Sequence, residues 1–508
     1  MAHIVRRWLV FVAIATSSYA AKPLVKIKDG KLLGAYDEKA KVYSFKGIPY
    51  ATPPVGPLRW ADPVPEDPWK GVRDAKEFGS RCMQAPIFSD MIFRDPGPSE
   101  DCLTVNVWTP NLSKNTSLPV MFWIHGGGFA AGASSEPRQD GTNLATRGVV
   151  VVSLNYRLNI FGFYANPELT KESSHHASGN YGLLDMVAAL QWVQDNITEF
   201  GGDPSKVTIF GESAGSWAVS ELMASPLAKG LFIRAIGESG AAFSSTSLAM
   251  KTLDEAQEAD VKFAREIHEP SLGALRDMSS DQLMTASQKP GGASFNPVVD
   301  GYFLPDPVPQ IYAAGKQAHV PLLAGWNKNE GGTPEKSKAT MESFTTQAKK
   351  EFGDRADDFL KLYPAGDLAE TKNSAADLAR DNFIAFATWK WIEAQVKTGD
   401  APVYRYFFTH VLPPPADVNG AYHSADIEFA FDNLANKDLK WRPQDEKLAK
   451  LMADYWTNFA KTGDPNGGDL PKWPQFKAAD GYQVMQLDTD AQSFSEQQRA
   501  RYEFLMGK

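Results

Sequence analysis

The chain has 508 residues, 43 % of them hydrophobic and 22 % charged, a balance that suits a globular protein with a large core. Its formal net charge is −9 and no block of Lys and Arg interrupts it, which excludes the basic footprint of a nucleic-acid binder. The acidity reads as solubility.

The first informative segment is the N-terminus. Arg6 and Arg7 precede an apolar run from Trp8 to Ala15, and small residues follow from Thr16 to Ala21. A bilayer span needs about 20 apolar residues, so this run is too short to cross one. It fits a secretory leader with cleavage after Ala20, where Ser18 and Ala20 are the small residues. Residues 1–20 are therefore expected to be a signal peptide, and the mature protein secreted or periplasmic. No later segment reaches membrane-spanning length. In an exported chain the two cysteines, Cys82 and Cys102, are expected to form a disulfide.

The mature chain opens with strand signals at Leu24–Lys28 and Leu32–Tyr36, flanking the hairpin dipeptide Asp29-Gly30. Short continuous apolar runs follow, of the kind found in strands buried on both faces. They are Leu103–Trp108, Val120–Ile124, Val149–Leu154, Val207–Phe210, Ile233–Ile236, Val320–Gly325, Val403–Phe408 and Tyr482–Leu487. Between them, Tyr181–Phe200, Ala375–Thr398 and Asp445–Thr462 repeat apolar residues at helical spacing. Strands alternating with helices predict an α/β fold with a mostly parallel central sheet, helices on both faces and helical insertions. Residues 22–508 read as a single catalytic domain.

Gly211-Glu212-Ser213-Ala214-Gly215 carries the chemistry. A β-branched strand, Val207–Phe210, leads into it, and Ser216–Ala224 reads as a helix leading out. A serine on so sharp a strand-to-helix turn presents its hydroxyl to the site, and the flanking glycines leave the backbone uncrowded. Ser213 is the candidate nucleophile, with Glu212 beside it as a supporting residue. His125-Gly126-Gly127-Gly128 follows the strand Val120–Ile124, and successive glycine N–H groups there can converge on one point. Gly127, Gly128 and Ala214 are the candidate oxyanion-hole donors. The loose dinucleotide pattern Gly126-x-Gly128-x-x-Ala131 competes, but the next strand ends in Asn155, Tyr156 and Arg157 without the acid that pattern wants.

In this fold the triad runs serine, acid, histidine along the chain. Glu330, in the loop after Val320–Gly325, is the candidate acid, with Asp300 and Asp306 as rivals on the wrong side of that strand. His410 and His423 follow it. His410 closes a strand-like run and suits a structural role, which leaves His423 as the candidate base. The pair His175-His176 lies in a polar loop with Glu172 as its one nearby carboxylate, and reads as solvated rather than metal-binding.

These residues resemble the type-B carboxylesterase family, which includes the cholinesterases. The run from Glu100 through Cys102 to Trp108, and that from Phe200-Gly201-Gly202-Asp203-Pro204 to Ser213, carry the likeness. Weaker echoes extend from Phe45–Tyr50 to Tyr455–Phe459. The resemblance implies an α/β-hydrolase fold, a Ser213–Glu330–His423 triad, the Gly127/Gly128/Ala214 hole and the Cys82–Cys102 bridge. It also implies a hydrogen bond from Ser239 to the triad acid. The expected substrate is a small ester, cleaved without metal or organic cofactor. Residues 83–101 contain no tryptophan, whereas cholinesterases use one in that loop to hold choline by a cation–π contact. The chain is thus expected to act as a bacterial carboxylesterase rather than a cholinesterase. A descendant that kept the fold as a binding module, or an amidase, carbamate hydrolase or lipase, is the alternative.

Overall fold

The computed structural model describes residues 22–243, 250–288 and 294–507. The leader expected at residues 1–20 lies outside them. The framework is an 11-stranded sheet. Its strands are β1 (Ala35–Asp37), β2 (Val42–Pro49), β3 (Thr104–Thr109), β4 (Leu118–Ile124), β5 (Val150–Leu154) and β6 (Gly202–Glu212). They continue with β7 (Arg234–Glu238), β8 (Leu322–Asn327), β9 (Val403–Phe408), β10 (Gln483–Leu487) and β11 (Gln492–Ser495). Across the sheet the order is β11-β10-β9-β8-β7-β6-β4-β5-β3-β2-β1. The strands from β10 to β5 run parallel, and antiparallel pairs close both edges. This is the α/β-hydrolase arrangement.

The central strands are apolar throughout because both faces are covered. In β4 the side chains alternate between two cores. Val120, Phe122 and Ile124 enter one, and Met121 and Trp123 the other. The first core also takes Leu190 of α1 (Tyr181–Asn196), Leu222 of α2 (Ala214–Ala224) and Trp391 of a later helix. The second takes Leu448, Met452 and Trp456 of the helix Pro443–Thr462.

Several expected boundaries shift. The strand expected at Val320–Gly325 begins after Pro321, which has no N–H to give the ladder, and runs on to Asn327. The helix expected over Ala375–Thr398 is two helices, α3 (Leu368–Arg380) and α4 (Phe386–Thr398), joined by a 5-residue π turn at Asp381–Ala385. The Asp29-Gly30 hairpin pairs Leu24–Lys26 with Lys31–Leu33, and Cys82 is bonded to Cys102.

Parallel strands that point the same way deliver their following loops to one edge of the sheet. The loop after β4 carries His125 to Gly128, that after β6 Ser213, that after β8 Glu330 and that after β9 His423. The site lies where ligands meet open α/β sheets, outside the carboxyl ends of the strands.

Candidate active site

Ser213 sits between β6 and α2 with φ 56° and ψ −120°, a conformation unusual for a residue with a Cβ. Its N–H is fixed by the Glu238 carbonyl at 2.8 Å. The turn needs bare neighbours. A Cβ on Gly215 would collide with the Ile124 carbonyl, and one on Gly211 would stand 2.7 Å from the same oxygen. Gly126, on the adjoining loop, would bring a Cβ to 3.0 Å from that of Ser213. The glycine spacing therefore lets β4, its loop and the serine turn interlock. Gly127 and Gly128 follow with φ 108° and 65°.

His423 joins the three strand ends. Its Nε2 lies 2.8 Å from Ser213 Oγ and its Nδ1 2.6 Å from Glu330 Oε2. With a carboxylate acceptor at Nδ1, that nitrogen carries the proton and Nε2 is free to accept from the serine hydroxyl. Glu330 is itself held: Ser239 Oγ donates to its Oε1 at 2.6 Å, and the Asn327 N–H donates to the same oxygen at 2.7 Å. Phe383, brought over by the π turn, packs edge-on against the imidazole, with ring centroids 5.2 Å apart. Such π turns recur at functional sites because they shift one register of side chains relative to the helix.

The electrostatics are crowded. Burial pushes the Glu212 carboxyl up to about 8. Burial also opposes a charge on His423, but the fields of Glu212, Glu330 and Asp426 outweigh it and raise the imidazole to about 9. Asp426 is fixed by Asn327 Nδ2 and the Tyr406 hydroxyl, both at 2.9 Å.

Ser213, His423, Gly127, Gly128 and Ala214 line one cavity of about 500 Å³. Its walls are Phe88, Met91, Phe129, Trp217, Met250, Phe383 and Ile384, with Asp90, Arg138, Glu212 and Glu221 as the charged members. The disulfide loop thus supplies Phe88, Asp90 and Met91, and the indole comes from Trp217 instead. The wall residues, Trp217 and Glu221 among them, carry no motif, and the lone acid in the mostly apolar helix after Ser213 is their one signal in the sequence.

The rivals stand elsewhere. Asp300 accepts from the Tyr302 and Leu304 N–H groups in a turn, and Asp306 is exposed. His410 is buried between Asp445, at 2.6 Å from its Nε2, and Asp488, at 3.1 Å from its Nδ1. His175 stacks on Tyr302, and His176 is exposed. Among the described residues no three His, Cys, Asp or Glu side chains cluster as a metal site.

Known proteins resemble this chain over most of its length. The model of the carboxylesterase family matches residues 21–505. The fumonisin B1 esterase of Sphingopyxis macrogoltabida is 36 % identical over 86 % of this chain and 82 % of its own length. The para-nitrobenzyl esterase of Bacillus subtilis (strain 168) is 37 % identical over 89 % of this chain and 92 % of its own. A solved structure of a PNB esterase superposes with a TM-score of 0.81 at 33 % identity, covering 95 % of this chain and 99 % of that one. The chain belongs to the carboxylesterase family and is a carboxylic ester hydrolase.

Proposed function

We propose that the enzyme hydrolyses small to medium neutral esters through a serine acyl-enzyme. His423 Nε2 takes the hydroxyl proton as Ser213 Oγ attacks the ester carbonyl carbon. The carbonyl oxygen becomes an oxyanion, stabilised by the N–H groups of Gly127, Gly128 and Ala214. As the tetrahedral species collapses, the C–O bond to the alcohol breaks and His423 returns the proton to the departing oxygen. Water then attacks the acyl-serine, His423 taking its proton and handing it to Ser213 Oγ as the acid leaves. Glu330 orients His423 and stabilises its cation, and Ser239 positions Glu330.

The observation that carries the reading is the single imidazole placed at 2.8 Å from Ser213 and 2.6 Å from Glu330. The apolar cavity around it supports uncharged acyl groups of moderate length. We also propose that residues 1–20 direct export and that residues 22–508 act as one catalytic unit. The Cys82–Cys102 bond supports export, and among the described residues no helix is long and apolar enough to cross a membrane. The test is a series of 4-nitrophenyl esters of rising chain length beside the matching anilides. Ester turnover with negligible anilide turnover supports the reading. Comparable anilide rates would make the enzyme an amidase, and no turnover of either would leave a binding protein.

A further inference from the structure

Helix α2 starts at the nucleophile and turns one face to the cavity. Ala214, Trp217 and Glu221 all line it, at the i, i+3 and i+7 positions that share a helix face. Glu221 is fully buried, and neither of its carboxyl oxygens has a hydrogen-bond partner among the described residues. An unpaired buried carboxyl is costly, and a core position in this helix would ordinarily hold an apolar residue. Burial alone pushes it up to about 8. Tyr156, whose ring is near enough to feel its charge, is committed elsewhere and donates to the His125 carbonyl at 2.8 Å.

The remaining charges decide what could satisfy it. Arg138, the guanidinium of the lining, is already held by Glu136 at 2.8 Å and by Asp90 at 3.1 Å. Apart from His423 at the reacting end, the lining among the described residues therefore offers an anionic substrate no unpaired cation, whereas Glu221 offers a cationic one an unused acceptor pair. Trp217, one helical turn nearer Ser213, adds an indole along the way.

We propose that Glu221 is a specificity-determining residue, which receives an ammonium group carried on the acyl or alcohol part of an ester substrate. Eight residues of helix span about 12 Å, and side chains lean back toward the helix N-terminus, so the carboxyl stands roughly 8 Å from the nucleophile. That spacing matches an amine about six bonds from the ester carbonyl. A primary or secondary ammonium brings N–H donors to both oxygens; a quaternary one brings none.

The inference rests on the ester-hydrolase reading, and the experiment separates the two. The wild-type enzyme, Glu221→Gln and Glu221→Leu are assayed on 4-nitrophenyl 6-aminohexanoate against 4-nitrophenyl heptanoate, and on 4-aminobutyl acetate against pentyl acetate. The readout is the ratio of kcat/KM within each pair, so a general change in activity cancels. The ratio in at least one pair is expected to favour the amine in the wild type and to fall by about tenfold or more in both variants, mainly through KM. A ratio unchanged by the variants in both pairs overturns the inference while leaving ester hydrolysis intact. A 6-hydroxyhexanoate favoured as strongly as the amine also overturns it. If the wild type cleaves no ester, the hydrolase reading fails first. Binding of hexylammonium against hexanol, followed by tryptophan fluorescence, then tests the site alone. Tighter hexylammonium binding that Glu221→Leu abolishes supports the site, and equal binding overturns it.

Discussion

Glu212 faces His423 across the nitrogen that meets the nucleophile: its Oε1 lies 3.3 Å from His423 Nε2, which is also 2.8 Å from Ser213 Oγ. Two carboxyls therefore flank one imidazole, Glu330 at Nδ1 and Glu212 at Nε2. The base works only when neutral, so activity falls as pH drops through the His423 pKa. That pKa lies above the ordinary value because the carboxyl fields outweigh burial. Glu212→Gln keeps the shape and removes one field. The acid limb of kcat/KM should move to lower pH, with kcat reduced by about tenfold. A pH–rate profile measures it, and an unmoved limb would show that Glu212 carries no charge in the working enzyme.

Glu330→Gln removes the acceptor at Nδ1 as well as a field. The imidazole can then turn or adopt the other tautomer, so kcat should fall by about 10²- to 10⁴-fold while the protein stays folded. The surviving activity should show its acid limb at lower pH than the wild type. An unchanged profile in this variant would transfer the acid role away from Glu330.

In the proposed mechanism Ser239 acts through Glu330, donating to its Oε1 at 2.6 Å. Ser239→Ala leaves the Asn327 N–H on that oxygen, so Glu330 is loosened rather than freed. The expected loss is about tenfold in kcat with KM nearly unchanged. A rise in KM at constant kcat would make Ser239 part of the substrate contacts instead.

The Cys82–Cys102 bond closes a sequence separation of 20 residues. In the chain-entropy account such a loop stabilises by about 3 kcal/mol, or roughly 3 °C in Tm for a chain of this size. Replacing both cysteines with serine should lower the calorimetric Tm by that order. Two titratable thiols in the native protein would contradict the bond.

Glu221 gives a stability signature of its own. Its folded pKa of about 8 lies above the ordinary carboxylate value of 4.5. The folded state thus holds a proton that the unfolded chain releases, and stability is fully present below the ordinary value and lost as pH rises through the raised one. Glu221→Leu removes that loss, so its Tm advantage over the wild type should widen from pH 5 to pH 8. Melts at the two pH values measure it, and an advantage independent of pH would mean that Glu221 is ionised or paired throughout.

The central strands were legible as short continuous apolar runs, and the helix after Ser213 from its place behind a β-branched strand and the Gly211–Gly215 turn. Ser213, Glu330 and His423 were legible because chain order and strand-end position restrict the candidates to few. The π turn at Asp381–Ala385 was not, since its side chains continue a helical pattern and the extra residue leaves no compositional mark. Nor was the start of β8, where an apolar run overrides the local veto of Pro321. The cavity wall escaped for a different reason. Phe88, Trp217 and Phe383 come from segments far apart in the chain, and only the sheet brings them together.

The central claim is that Ser213 forms the acyl-enzyme, and the direct measurement is the esterase activity of Ser213→Ala beside its melting curve. The substitution removes one oxygen from a residue that is held by its backbone N–H. The account predicts a wild-type-like Tm and a loss of about 10⁴-fold or more in kcat. A folded variant that kept more than about a hundredth of the wild-type rate would contradict it.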